Sequence, residues 1–264
     1  TFSSDIAVRA FDSDGTPIGP QENYSHPDGF LAQDAEITGL SGGGFAVVWR
    51  ELVENGSTLD THVLAQVFDD NASTVGGQIS VALDVDSAGL GTTGATISGA
   101  SDVAGLPNGG FVVAWADQDS ILGQRYDSLG SPVGSQFTAN SSDAIDGVPS
   151  VTSTPDGGWL VAWTAQSQPL TGPLEFDVTA QRFDATGTKV GDEFLINQFG
   201  DGFQGFQAID ILTDGRLVAA WQSDAPEWGG PADGEIAARV FELPEVIEPG
   251  SNLDPVEEDG AALT

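Results

Sequence analysis

Apolar residues in this chain fall into short runs separated by polar, glycine-rich stretches, and the runs recur. One reads GGGFAVVW up to Trp49, GGFVVAW up to Trp115, GGWLVAW up to Trp163 and GRLVAAW up to Trp221. A second ends in an aromatic: AVRAF at Phe11, LAQVF at Phe68, LGQRY at Tyr126, TAQRF at Phe183 and AARVF at Phe241. These five aromatics stand 57, 58, 57 and 58 residues apart, whereas the tryptophans stand 66, 48 and 58 apart. Loops of compensating length keep the repeat near-constant. Short runs rich in Val, Ile, Phe and Trp, bounded by Gly and Asp, are β-strands. No segment has a helical period.

After the second run comes a turn of fixed size. Asp12 to Gly19, Asp69 to Gly76, Asp127 to Gly134 and Asp184 to Gly191 are each seven residues apart. Asp, Gly and Pro stand between them where a hairpin turn needs them. A further strand follows (SQFTAN, 135–140; EFLIN, 193–197), and another precedes each Gly-Gly turn (PSVTST, 149–154). Four short strands per repeat predict an all-β fold, a β-propeller-like ring of four or five blades over residues 1–243. A terminal strand pairing with the other end is one way to close such a ring. Strands such as FVVAW are apolar on both sides because both faces of a blade are covered by neighbours. A tandem array of β-sandwich units is the alternative. Residues 244–264 lose the repeat, turn rich in Pro and Glu, and read as an acidic linker to a further domain.

Forty acidic residues face seven basic ones, a net charge of −33. Such a field repels nucleic acid and anionic membranes, so neither is an expected partner. It also strains the compact state unless cations screen it. Melting temperature is therefore expected to rise with sodium chloride, and a response to calcium at far lower concentration would mark specific sites. Zero cysteines exclude disulfides, thiol catalysis and Cys-based zinc sites. No run of eighteen apolar residues exists to insert in a membrane. A start at Thr1 and the absence of methionine suggest a piece of a longer chain. The acidity and the single lysine, Lys189, suit a bacterial surface or a marine medium.

The combination of GGFVVAW, AQRFD, G-x-x-V-G and EF-x-x-N resembles the tandem repeat of very large secreted bacterial proteins, the RTX-type, hemolysin-like calcium-binding adhesins. The tail PVEEDGAALT resembles the opening of a cadherin-like extracellular repeat. The resemblance implies a secreted or cell-surface location, calcium in the surroundings and neighbouring domains. It carries over no catalytic residue, and the glycine-rich nonapeptides that bind calcium in RTX proteins are absent from this sequence.

One end of the propeller gathers the Gly-Gly and Asp-to-Gly turns. The other gathers the loops after each Trp and the connections between repeats, and these vary. From Trp to the next aromatic the separations are 19, 11, 20 and 20; from turn glycine to the next Trp they are 30, 39, 29 and 30. Variable loops on a rigid scaffold are where binding usually sits. Trp228, Phe203, Phe206, Phe176 and Tyr24 fall in these Gly-, Pro- and Asp-rich stretches and are the candidate ligand-binding residues, either stacking on a sugar or meeting a protein, or plugging the ring. Asp84, Asp86, Asp117 and Asp119 are the candidate calcium ligands. Asp12, Asp127 and Asp184 are better explained as caps of their own turns.

Against catalysis, Arg9, Arg125, Arg182 and Arg239 occupy a repeated strand position, only His26 and His62 exist, and TPDGGWLVAW misplaces the Trp of a sialidase Asp-box. The expected role is a ligand-binding or spacer module of a surface adhesin, recognising glycan or protein. The alternative is a carbohydrate-active propeller enzyme, a glycosidase or lyase. The centre of the ring discriminates: an enzyme converges carboxylates or arginines there, a module closes it with apolar side chains.

Overall fold

The computed structural model describes residues 4–24, 31–55, 58–85, 100–117, 120–141, 146–166, 175–197, 202–224 and 234–243. The linker expected over 244–264 and Trp228 lie outside the described residues. Strands β1 (Ile6–Phe11) and β2 (Pro17–Tyr24) pair with each other. Blade I follows as β3 (Leu31–Gly39), β4 (Phe45–Asn55), β5 (Thr58–Phe68) and β6 (Thr74–Val85). Blade II is β7 (Ser101–Gly105), β8 (Phe111–Asp117), β9 (Ser120–Tyr126) and β10 (Pro132–Thr138). Blade III is β11 (Asp146–Ser153), β12 (Trp159–Gln166), β13 (Phe176–Phe183) and β14 (Lys189–Leu195). Blade IV comprises β15 (Gln204–Ile211), β16 (Leu217–Ser223) and β17 (Glu235–Phe241). Each sheet is an antiparallel meander in chain order, and the first strands of successive blades neighbour one another. The fold is a β-propeller, as the repeat predicts.

The tryptophan run is the second strand of each blade, and its two sides serve two different interfaces. Trp49 packs with Ile6, Val8 and Tyr24 between β1–β2 and blade I, while Ala46 and Val48 face blade II. Trp115 fills the junction of blades I and II, Trp163 that of II and III, and Trp221 that of III and IV. All four are buried at equivalent places. Apolar side chains on both faces of these strands are thus explained by stacking of blades.

The fixed turns work as their composition requires. Oδ1 of Asp12, Asp69, Asp127 and Asp184 each accepts the N–H groups two and four residues on, at 2.8–3.0 Å. These carboxylates are engaged by their own backbone, as expected for turn caps. In the Gly-Gly turns the second glycine runs against the third strand: a Cβ on Gly158 would lie 2.2 Å from the Phe183 carbonyl oxygen, and one on Gly44 2.2 Å from that of Phe68. The pair is there because one strand passes too close for a side chain.

Candidate functional site: the inner strands and the variable-loop mouth

The first strands β3, β7, β11 and β15 line the axis and are brought into register by their turns. Leu40, Leu106, Thr154 and Leu212 each donate their amide to a carbonyl four residues on. Counting back from them puts Glu36, Asp102, Ser150 and Ala208 at one level, and Thr38, Ala104, Thr152 and Asp210 at another. Each of three strands also carries the same bulge, with a residue at positive φ: Asp34 (52°), Val148 (29°) and Phe206 (52°). A bulge re-aims the side chains beside it and occurs repeatedly next to active sites.

The axis is consequently polar. Asp102 is half-buried and ties blade II to blade III: Val103 and Val151 donate their amides to it at 2.7 and 2.8 Å, and the Ser150 hydroxyl donates at 3.3 Å. Burial pushes its carboxyl above the usual range even so, because the three donors only partly offset the lost hydration. Glu36 is exposed to the channel, and its carboxyl is also pushed up, first by partial burial, then by the negative charges of Asp102 and Asp34. Asp34 makes an ion pair with Arg50 at 2.5 Å, and Arg50 also donates to Gln33. On the far strand Asp210 accepts its own neighbour's amide from Ile211 at 2.7 Å and the Thr152 hydroxyl at 3.4 Å.

These shifts carry a pH signature. A carboxyl whose folded pKa is raised binds its proton more tightly in the folded than in the unfolded chain. Its contribution to stability is therefore complete at low pH and is lost as pH climbs from about 4 through the raised value. Asp102→Asn should flatten this part of the stability–pH curve, measured as urea midpoints across that range, while lowering the acidic plateau because an amide keeps a single acceptor oxygen. A slope identical to that of the unsubstituted chain would contradict the assignment.

At the variable-loop mouth the structure brings together three of the five aromatic candidates. Phe176, opening β13, stands 5.5 Å from Phe203, which stands 5.5 Å from Phe206 at the bulge of β15. Phe206 is 60% exposed. The cluster is anchored: the Phe176 amide donates to Gly202, the Asp224 amide to Phe203, and the Phe206 amide to the Thr164 hydroxyl. Beneath it, buried Gln204 accepts from the Trp221 indole, and buried Gln207 links Thr164, Ala162 and Val148. Gly205 lets this layer close up, since a Cβ there would sit 2.7 Å from the Phe203 ring. The matching place between β1–β2 and blade I is built from Ser4, Leu31 and Asp34, through the same parallel bridge. The fold therefore does not require aromatics here.

Tyr24 goes elsewhere. It ends β2 and packs 5.6 Å from Trp49 and 5.7 Å from Phe68, inside the first inter-blade cluster. Of the calcium candidates, Asp84 lies on β6 and Asp117 closes β8, while Asp86 and Asp119 lie outside the described residues. Among the described residues no group of three His, Cys, Asp or Glu side chains is arranged to hold a metal ion. Glu36, Asp102 and Asp210 were not singled out by sequence, where forty acidic residues compete; alignment of the strands ahead of the Gly-Gly turns is the signal that finds them.

The sequence matches no protein-family model and no curated protein. Solved structures do match. An α-L-arabinofuranosidase of Fusarium graminearum, of the GH93 class and in complex with arabinobiose, is 12% identical with a TM-score of 0.51, covering 81% of this chain and 63% of the enzyme. A protein of unknown function from Dyadobacter fermentans is 16% identical with a TM-score of 0.54, covering 89% and 67% respectively. The chain thus spans less than two thirds of the Fusarium enzyme. The expected adhesin binding or spacer module is corrected here. The architecture is one a glycosidase uses, and the axis carries carboxyl groups on three inner strands in place of the apolar plug a spacer calls for.

Proposed function

We propose that this chain is a carbohydrate-active propeller that cleaves glycosidic bonds at the variable-loop end of its axis. The observation that carries this is the presence of Glu36, Asp34 and Asp102 on the inner strands together with an exposed aromatic platform at the mouth. Glycosidic cleavage calls for two carboxyl groups, one protonated to release the leaving oxygen and one ionised on the other side of the bond. Glu36, its pKa raised by burial and by two negative neighbours, is the proton donor. Asp34, ion-paired to Arg50, is the second carboxylate. Divergent environments around neighbouring carboxyls are how one site runs acid and base roles together. Phe203 and Phe206 supply the flat apolar surface that sugar rings stack on. The resemblance to secreted bacterial repeat proteins supports an extracellular setting, with polysaccharide as the partner.

The test is affinity mapping with arabinobiose and longer arabinan oligosaccharides first, given the arabinobiose held by the Fusarium enzyme, then galactan and other plant and microbial glycans. Phe206→Ala should weaken binding about fivefold, the equivalent of roughly 1 kcal/mol of stacking, without lowering the melting temperature, because that ring is mostly exposed. Unchanged affinity for every glycan bound by the parent chain would remove the platform from the site.

A further inference from the structure

The two ends of the described chain duplicate the same strand. Aligned on their closing aromatics, β1 and β17 are both third strands of a blade: Ile6, Val8 and Ala10 correspond to Ile236, Ala238 and Val240, and Phe11 to Phe241. Closure by pairing of one end strand with the other would put two third strands in one blade, and the described strands show no such pairing. The two copies are complementary in what they leave open. β1 buries Ile6 and Val8 against blade I and exposes Phe11, whereas β17 turns Ala237 and Phe241 toward blade III and exposes Ile236 and Val240.

Three exposures have no counterpart in the complete blades. Ile236 is 78% exposed where its equivalent Val63 is 0% exposed, Phe11 is 56% exposed where Phe68 is 1%, and Ile37 is 64% exposed where Val103 is 6%. Each points to one neighbour absent among the described residues. Ile37 on the first strand of blade I lacks the first strand of a preceding blade, against which Val103 and Val151 pack in their own blades. Phe11 lacks the second-strand aromatic that stacks on Phe68 (Phe45, 4.8 Å), Tyr126 (Phe111, 5.1 Å) and Phe183 (Trp159, 5.4 Å). Ile236 and Val240 lack the back of the next blade. The bridge from Ser4 to Leu31 repeats that from Phe176 to Phe203, so β1–β2 already holds the position of a blade next to blade I.

We infer that β1 and β2 are the third and fourth strands of a fifth blade, completed by a hairpin of this repeat's first and second strands that pairs with the edge of β1 left open among the described residues and seats against blade IV. This conclusion is independent of any saccharide.

The chain supplies its own probe. Residues 146–175 hold β11, β12 and the connection to a third strand, and Ser4 is equivalent to Phe176, so a second copy of 146–175 is fused directly ahead of Ser4. The fusion should melt about 5 °C or more above the 264-residue chain, and amide exchange should slow across β1 and Ile236–Val240. A scrambled segment of the same composition should do neither. Ile236→Asp together with Val240→Asp should cancel the gain in the fusion while leaving the unfused chain's melting temperature unchanged. An unchanged melting temperature in the fusion, or a gain that survives both aspartates, would overturn the inference.

Discussion

Glu36→Gln is expected to lower the proposed glycan cleavage steeply while leaving glycan binding and folding intact. The amide keeps the size and hydrogen-bonding reach of the carboxyl but has no proton to give, so the loss falls on the chemical step. Removing a positioned general acid lowers the rate by about 10²–10⁴-fold, with little change in KM. The same assignment fixes the pH profile. Glu36 must be protonated to act, and burial together with Asp102 and Asp34 raises its pKa, so activity should persist into mildly acidic solution and fall as pH rises through the raised value. Asp102→Asn removes one of the charges holding that pKa up and should move the falling limb to lower pH. A variant at Glu36 that retains full activity would place the acid elsewhere on the axis.

Trp163→Ala is expected to cost about 3–5 kcal/mol, the range for truncating a large buried aromatic. Trp163 packs beside Val161 against blade II, in a cluster with Val112, Ala114, Ala116 and Ile121. Backbone ladders on both sides hold the strands apart, so the space left by the indole cannot close. Urea unfolding measures this, and a loss under 1 kcal/mol would contradict the interlocked packing of blades. Trp221 adds a second kind of cost. Its indole N–H donates to buried Gln204 at 2.9 Å, so even Trp221→Phe should destabilise, by about 1 kcal/mol, through loss of that buried hydrogen bond.

The scaffold was legible in the sequence because its determinants are local. A Trp at the end of an apolar run, an aromatic closing the next, and an Asp seven residues before a Gly each report on one strand or one turn. What lay beyond reach depends on the relation between blades. Period-two alternation cannot say which side of FVVAW meets the preceding blade. The bulges at Asp34, Val148 and Phe206 lie beyond the levels of Glu36, Asp102 and Asp210 and leave the count from the turns intact. The channel carboxyls were hidden because they stand among dozens of chemically identical residues, and only alignment of the strands on their turns separates them. Tyr24 misled for a related one: PIGPQENY is polar almost throughout, so its last residue resembles loop, although it closes β2 against Trp49. Phe176, Phe203 and Phe206 stood out as aromatics in glycine-rich sequence, and the structure puts them side by side although Phe176 opens β13 and Phe206 lies within β15.

The most direct measurement is release of reducing sugar from purified polysaccharides, beginning with arabinan, by the chain and by Glu36→Gln in parallel. Cleavage of at least one glycan by the chain, a loss of at least about a hundredfold in the variant, and equal binding of that glycan by both are the results expected. Equal rates from the chain and the variant, or glycans bound by both proteins and cleaved by neither, would contradict a catalytic role for the axis.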